Sequence, residues 1–161
     1  MDLHLPTVYR SALLGATTGA RSFSGIAAQV AVTPSLARRQ PERALGHLRA
    51  KALLGLAALG EIVGDKLPTT PSRLSPPALV GRLGLAAVTA LLVARADDEA
   101  GGAVPASVLV AVPVAVGASL ASAFLGSAWR GRASKALGRD WPGAVLEDVA
   151  AVTLAVVATR L

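Results

Sequence analysis

Glu61 and Asp65 stand four residues apart, so on a helix their carboxylates share one face. Lys66 and Arg73 follow in Gly60-Glu61-Ile62-Val63-Gly64-Asp65-Lys66-Leu67-Pro68-Thr69-Thr70-Pro71-Ser72-Arg73. A second acid pair, Glu147-Asp148, opens another apolar stretch, and Arg21 and Arg82 interrupt two more. Carboxylates held among Ser, Thr or backbone oxygens bind cations or relay protons, and a guanidinium grips a phosphate or carboxylate in a bidentate fashion. The competing account is structural. The acids pair with Arg21, Arg82, Lys66 or Arg73, sit at headgroups, or, for Glu147 and Asp148, complement a helix N-terminus. Charge balance predicts that Arg21 and Arg82 each lie within salt-bridge reach of one of Glu61, Asp65, Glu147 or Asp148; equivalent places in an internal repeat favour Glu147 or Asp148 for Arg82, and the depth of Arg21 favours Glu61 or Asp65 for it. His4 and His47 are isolated, and cysteine is absent, so no metal site is expected. No Ser-His-Asp set, glycine-rich phosphate loop or metalloprotease helix is present. No catalytic residue, enzyme activity or cofactor is therefore assigned.

The elements that position these residues belong to a membrane. Ala100 to Trp129 is a run of 30 residues without a charge, where a spanning helix needs about 20. Hydrophobic residues make up 53% and charged ones 16%, well under the charged share of about 25% in soluble domains. The net charge of +6 reads as basic loops that set topology, not as a nucleic-acid surface. A first span is expected over about Ser11–Ala31, then 77–95, 104–128 and Trp141–Thr159. Ala52 to Gly60 holds nine uncharged residues, reaching about 14 Å as a helix. Residues 52–66 are therefore expected as a half-inserted helix. The loops at 33–51 and 130–139 are basic, and the positive-inside rule puts both on the cytoplasmic side with both termini outside. Four spans plus one half-inserted helix satisfy this; five full spans are the alternative and would leave one basic loop outside. The expectation is an all-α polytopic bundle forming a single domain over 1–161.

Ala86–Ala94 and Ala150–Ala158 match at six of nine positions at an offset of 64. This suggests pseudo-repeats of about 11–95 and 103–160, although Ala/Val/Leu-rich helices also match by composition. Gly15 with Gly19, and Gly117 with Ala121, form small-residue faces for close helix packing within or between chains, and a homo-oligomer is expected.

Three patches carry a resemblance: Gly19-Ala20-Arg21-Ser22-Phe23, the stretch from Gly60 to Arg73, and Leu146-Glu147-Asp148-Val149-Ala150. The chain resembles a bacterial integral-membrane family catalogued as domain of unknown function 4126. The resemblance implies a bacterial inner-membrane location and marks Arg21, Glu61, Asp65, Lys66, Arg73, Glu147 and Asp148 as positions to test. It supplies no activity. The sequence-level expectation is a small transporter or channel-like protein for an ion or small polar solute. The alternative is a non-transporting scaffold or accessory subunit.

Overall fold

The computed structural model describes residues 5–37, 40–65, 74–98, 106–139 and 141–161. Among them the regular structure is all helical: α1 (Leu5–Ala20), α2 (Ser22–Val32), α3 (Glu42–Gly46), α4 (Leu48–Gly64), α5 (Pro76–Ala96), α6 (Val108–Leu137) and α7 (Trp141–Ala158). Three helices, α5, α6 and α7, are long and apolar enough to cross a membrane. Polarity is inverted relative to a water-soluble domain. Arg21, Gln29, Arg82, Thr17, Thr18 and Thr89 are buried, while Leu53, Leu56, Leu109, Phe124, Leu125 and Val149 face outward. The buried threonines turn their hydroxyls onto carbonyls four residues back, Thr18 to Leu14 at 2.8 Å and Thr89 to Leu85 at 2.7 Å, which spares them a lone polar atom in an apolar interior.

The expected first span is two helices. The backbone leaves helical geometry at Arg21 (φ −140°, ψ 111°), and α2 folds back along α1. The pairing proves the antiparallel course: Arg10 Nη2 donates to Gln29 Oε1 at 3.3 Å, and Gly25 lies on Leu14 and Thr18. A Cβ at Gly25 would come within 2.7 Å of the Leu14 carbonyl oxygen, so the missing side chain lets the two helices touch. The hairpin enters and leaves at one end of the bundle.

That end also holds the C-terminus of α5. Thr7 Oγ1 donates to Asp97 at 2.7 Å, and Arg95 pairs with Glu42 at 2.7 Å; it is called the Asp97 end below. α4 then runs alongside α2, from Lys51, whose Nζ donates to Ala31 O at 2.9 Å, to Glu61 beside Ser22. α5 returns, α6 runs away again from Ala111 beside Ala94, and α7 comes back. The opposite end carries Arg130.

Two expectations are corrected here. Residues 52–66, expected as a half-inserted helix, belong to α4, a single helix that does not double back, and the chain reversal lies at Arg21. In consequence α4, α5 and α6 together separate the two basic segments, which sit at opposite ends and not on one side. The second basic segment is also not a loop. α6 continues through Arg130, Arg132 and Lys135 because no glycine with the required backbone or proline stops it before Gly138, which takes φ 64° as a left-handed cap.

The hairpin is clamped by small residues. A Cβ at Gly15 would lie 2.7 Å from Ala115 Cα, and one at Gly19 would lie 2.8 Å from the Ser119 carbonyl carbon. The face of α6 that receives them is Ala111, Ala115, Ser119 and Ala123, all 0% exposed. Gly117 meets nothing within 4 Å, and Ala121 is exposed. Within the chain the Gly15–Gly19 groove therefore packs on the row at every fourth position from Ala111, and the Gly117 and Ala121 face makes no such contact.

Candidate functional site

The reversal at Arg21 creates the site. Because α1 ends and α2 begins there, backbone N–H groups at the start of α2 lack helical partners. Glu61, from α4, supplies them: its Oε1 accepts from Ser22 N at 2.7 Å and its Oε2 from Phe23 N at 2.9 Å. The carboxylate also complements the positive end of the α2 dipole. One α4 residue therefore caps a helix it is not part of.

The Arg21 side chain is 1% exposed and points into the junction of α1, α4 and α7. Its Nε donates to Asp148 Oδ1 at 2.6 Å, its Nη2 meets the same oxygen at 2.5 Å, and its Nη1 pairs with Asp65 Oδ2. Arg130 Nη1 reaches Asp65 Oδ2 at 3.1 Å from α6. Arg82, 5% exposed, donates through Nη1 to the Gly19 carbonyl at 2.9 Å and through Nη2 to Glu61 at 3.4 Å. Glu147 is 7% exposed and adds its field to those of Asp65 and Asp148 at Arg21. A bare charge in such an interior is costly, and mutual pairing is the compensation. The network ties α1, α4, α5, α6 and α7 at one level. That level lies six residues into α5, about 9 Å from its N-terminus along a helix about 31 Å long.

Arg21, Glu61, Asp65, Arg82, Glu147 and Asp148 thus come together. Both arginines lie within salt-bridge reach of one of the four acids, as expected. The finer pairing differs in part: Arg21 takes Asp65, but it also takes Asp148, which the repeat had favoured for Arg82, and Arg82 reaches Glu61. The hairpin tip explains this, since it carries Arg21 to the α7 wall. Lys66 and Arg73 lie outside the described residues. Arg130 was legible only as part of a basic segment; nothing in sequence linked it to Asp65, 65 positions away.

A second polar zone, absent from the sequence expectation, lies at the Asp97 end. Arg10 Nη1 pairs with Asp97 Oδ1 at 2.5 Å, and Gln29 is 2% exposed beside it. Arg10 and Gln29 border a cavity of about 320 Å³ whose wall also includes Glu42, Arg95 and Asp98. Between the two zones lie the apolar contacts of Leu14, Val93 and Ala158, and of Ile26, Val30 and Leu92. Among the described residues no cluster of His, Asp or Glu suits a metal ion. No known protein family, curated protein or solved structure matches the chain.

Proposed function

We propose that this protein is a small transporter or channel-like protein for an ion or small polar solute, acting in a bacterial inner membrane as its family resemblance implies. The observation that carries this reading is the buried charge network at the tip of the α1–α2 hairpin. Ionisable groups at membrane depth are costly and mark ion or proton pathways more often than chance placement would. A broken helix whose first N–H groups face a charged centre is the arrangement transporters use for solute sites. Arg21 holds two carboxylates from different helices, so a solute anion competes with Asp148 for it, and a proton or cation competes with Arg21 for Asp65. Either exchange loosens α7 or α4 from the hairpin. The apolar contacts between the network and the Asp97-end cavity then act as the closed gate.

The complete mutual pairing of Arg21, Asp65 and Asp148 equally favours a second reading, in which the network locks the helices of a non-transporting scaffold. Flux separates the two. The purified chain in liposomes is expected to pass protons, alkali cations or small anions faster than protein-free vesicles, and Asp148→Asn is expected to change that rate. Vesicles no leakier than the protein-free control, for all of these solutes, select the scaffold.

A further inference from the structure

On the outer side of the hairpin, α2 forms the floor of a groove whose walls are α4 and α7. The floor is made of small residues, Ser24, Ala27 and Ala31, and the walls are apolar, with Leu59 on α4 and Val156 on α7. The groove holds about 400 Å³, and no charged side chain lines it among the described residues. A Cβ at Gly55, on the α4 wall, would meet nothing within 4 Å, so the space is open there. The floor runs from Ser24 to Val32, about 12 Å of helix, which is within one leaflet of a hydrocarbon core about 30 Å thick. One end of the groove opens beside bases, at the Asp97 end. Lys51 shares the face of α4 that carries Gly55, Leu59 and Ile62, and its Nζ donates to the Ala31 carbonyl at 2.9 Å on the groove edge. Thr159 lines the same end, and the exposed Arg160 follows it. Of the acids at this end, Glu42 is held by Arg95 and Asp97 by Arg10.

We propose that this groove binds an anionic phospholipid, one acyl chain lying on α2 between α4 and α7 and the phosphate at Lys51, with Arg160 beside it. The apolar length fits the chain of one leaflet, and the bases stand at the end where the headgroup of that leaflet lies. A base near an anionic headgroup strengthens binding about fivefold. A zwitterionic headgroup brings its own cation to the same two bases and forfeits that gain. A spanning helix of a second copy is about twice as long as the groove, and a symmetric pair would bring two sets of these bases together. The proposal rests on insertion in a bilayer and not on transport, so a negative flux experiment leaves it standing.

The test adds lipid to the full-length chain, stripped of lipid in a non-ionic detergent, and reads binding by native mass spectrometry. The probes are dioleoylphosphatidylglycerol, dioleoylphosphatidylcholine with the same chains, and glycerol phosphate without chains. Saturable binding of phosphatidylglycerol, about fivefold tighter than phosphatidylcholine and with glycerol phosphate not bound, is expected. Lys51→Gln is expected to reduce that preference at least threefold, and Lys51→Arg to keep it. Arg43→Gln, which removes an exposed base that does not line the groove, is expected to leave it unchanged. Gly55→Trp fills open space and is expected to block the lipid while circular dichroism and elution volume stay as in the parent chain. Equal binding of the two lipids, binding of glycerol phosphate, or no binding of any probe overturns the proposal. Undiminished phosphatidylglycerol binding in Lys51→Gln or in Gly55→Trp places the lipid elsewhere, and an equal loss in Arg43→Gln reduces it to net charge; either equally overturns the assignment. A dimer that Gly55→Trp dissociates, in a chain that takes up no lipid, gives the groove to a second copy instead.

Discussion

Arg21 decides more than any other side chain here, because three physical demands meet in it. It sits where the backbone breaks, it is buried, and it bridges acids on α4 and α7. Replacing it with Met removes the guanidinium that Asp148 and Asp65 share, and removing one member of a buried pair costs roughly 3–5 kcal/mol. Thermal unfolding in mild detergent is expected to show Arg21→Met strongly destabilised. Adding Asp148→Asn in the same chain removes the carboxylate that lost the guanidinium, so the double variant is expected to lose less than the sum of the singles. Strict additivity would show that the two side chains do not interact. Lysine cannot replace the planar fork that reaches both acids, so Arg21→Lys is expected to fall between Arg and Met.

At the scale of elements, the hairpin depends on a cap and a groove. Glu61 closes the start of α2, and loss of a cap costs about 0.5–2 kcal/mol. Hydrogen exchange at Ser22 and Phe23 is expected to accelerate in Glu61→Ala, while amides in the middle of α6 stay protected; unchanged protection at Ser22 would refute the cap. The groove makes a sharper pair of variants. Gly19→Leu drives a side chain into the Ser119 backbone and is expected to displace the hairpin from α6, seen as loss of a monodisperse species in detergent. Gly117→Ala meets open space and is expected to be neutral or to stabilise by about 0.5–1 kcal/mol, because alanine is the better helix former. If both variants behave alike, the α1–α6 contact is misassigned. The sequence shows that Gly15 and Gly19 share a face; it cannot show which row of α6 they meet, since Ala111, Ala115, Ser119 and Gly117, Ala121 are equally small.

For the whole molecule α4 and the hairpin set the topology. The hairpin returns the chain to the Asp97 end before the first basic segment, and because α4 then runs away from that end without doubling back, an odd number of helices, α4, α5 and α6, separates the two basic segments. The chain has no cysteine, so single introduced thiols report cleanly. Ser35→Cys and Lys135→Cys are expected to label from opposite sides of the membrane; labelling from the same side would restore a topology with both basic segments in the cytoplasm. This arrangement gives the positive-inside rule two competing votes, and orientation then follows from which segment carries the denser charge near the apolar helices.

The sequence by itself determined the solvent and the parts. Long uncharged runs and the scarcity of charge specify helices in an apolar surround, and α5, α6 and α7 were legible from their length alone. The few ionisable residues inside those runs were legible as a group, because each is expensive unless compensated. Their partners were not. Arg21 with Asp148, Arg10 with Asp97 and Arg130 with Asp65 are contacts between distant positions, 127 residues apart in the first case. Hydrophobic periodicity also cannot distinguish one tilted span over 11–31 from two shorter helices folded together, because both bury the same apolar residues. The break at Arg21 is decided by groups from elsewhere in the chain: Glu61 holding the freed N–H groups, Asp65 and Asp148 holding the guanidinium, and the α6 backbone filling the space left by Gly15 and Gly19. Tertiary structure alone brings these together, and with them the site.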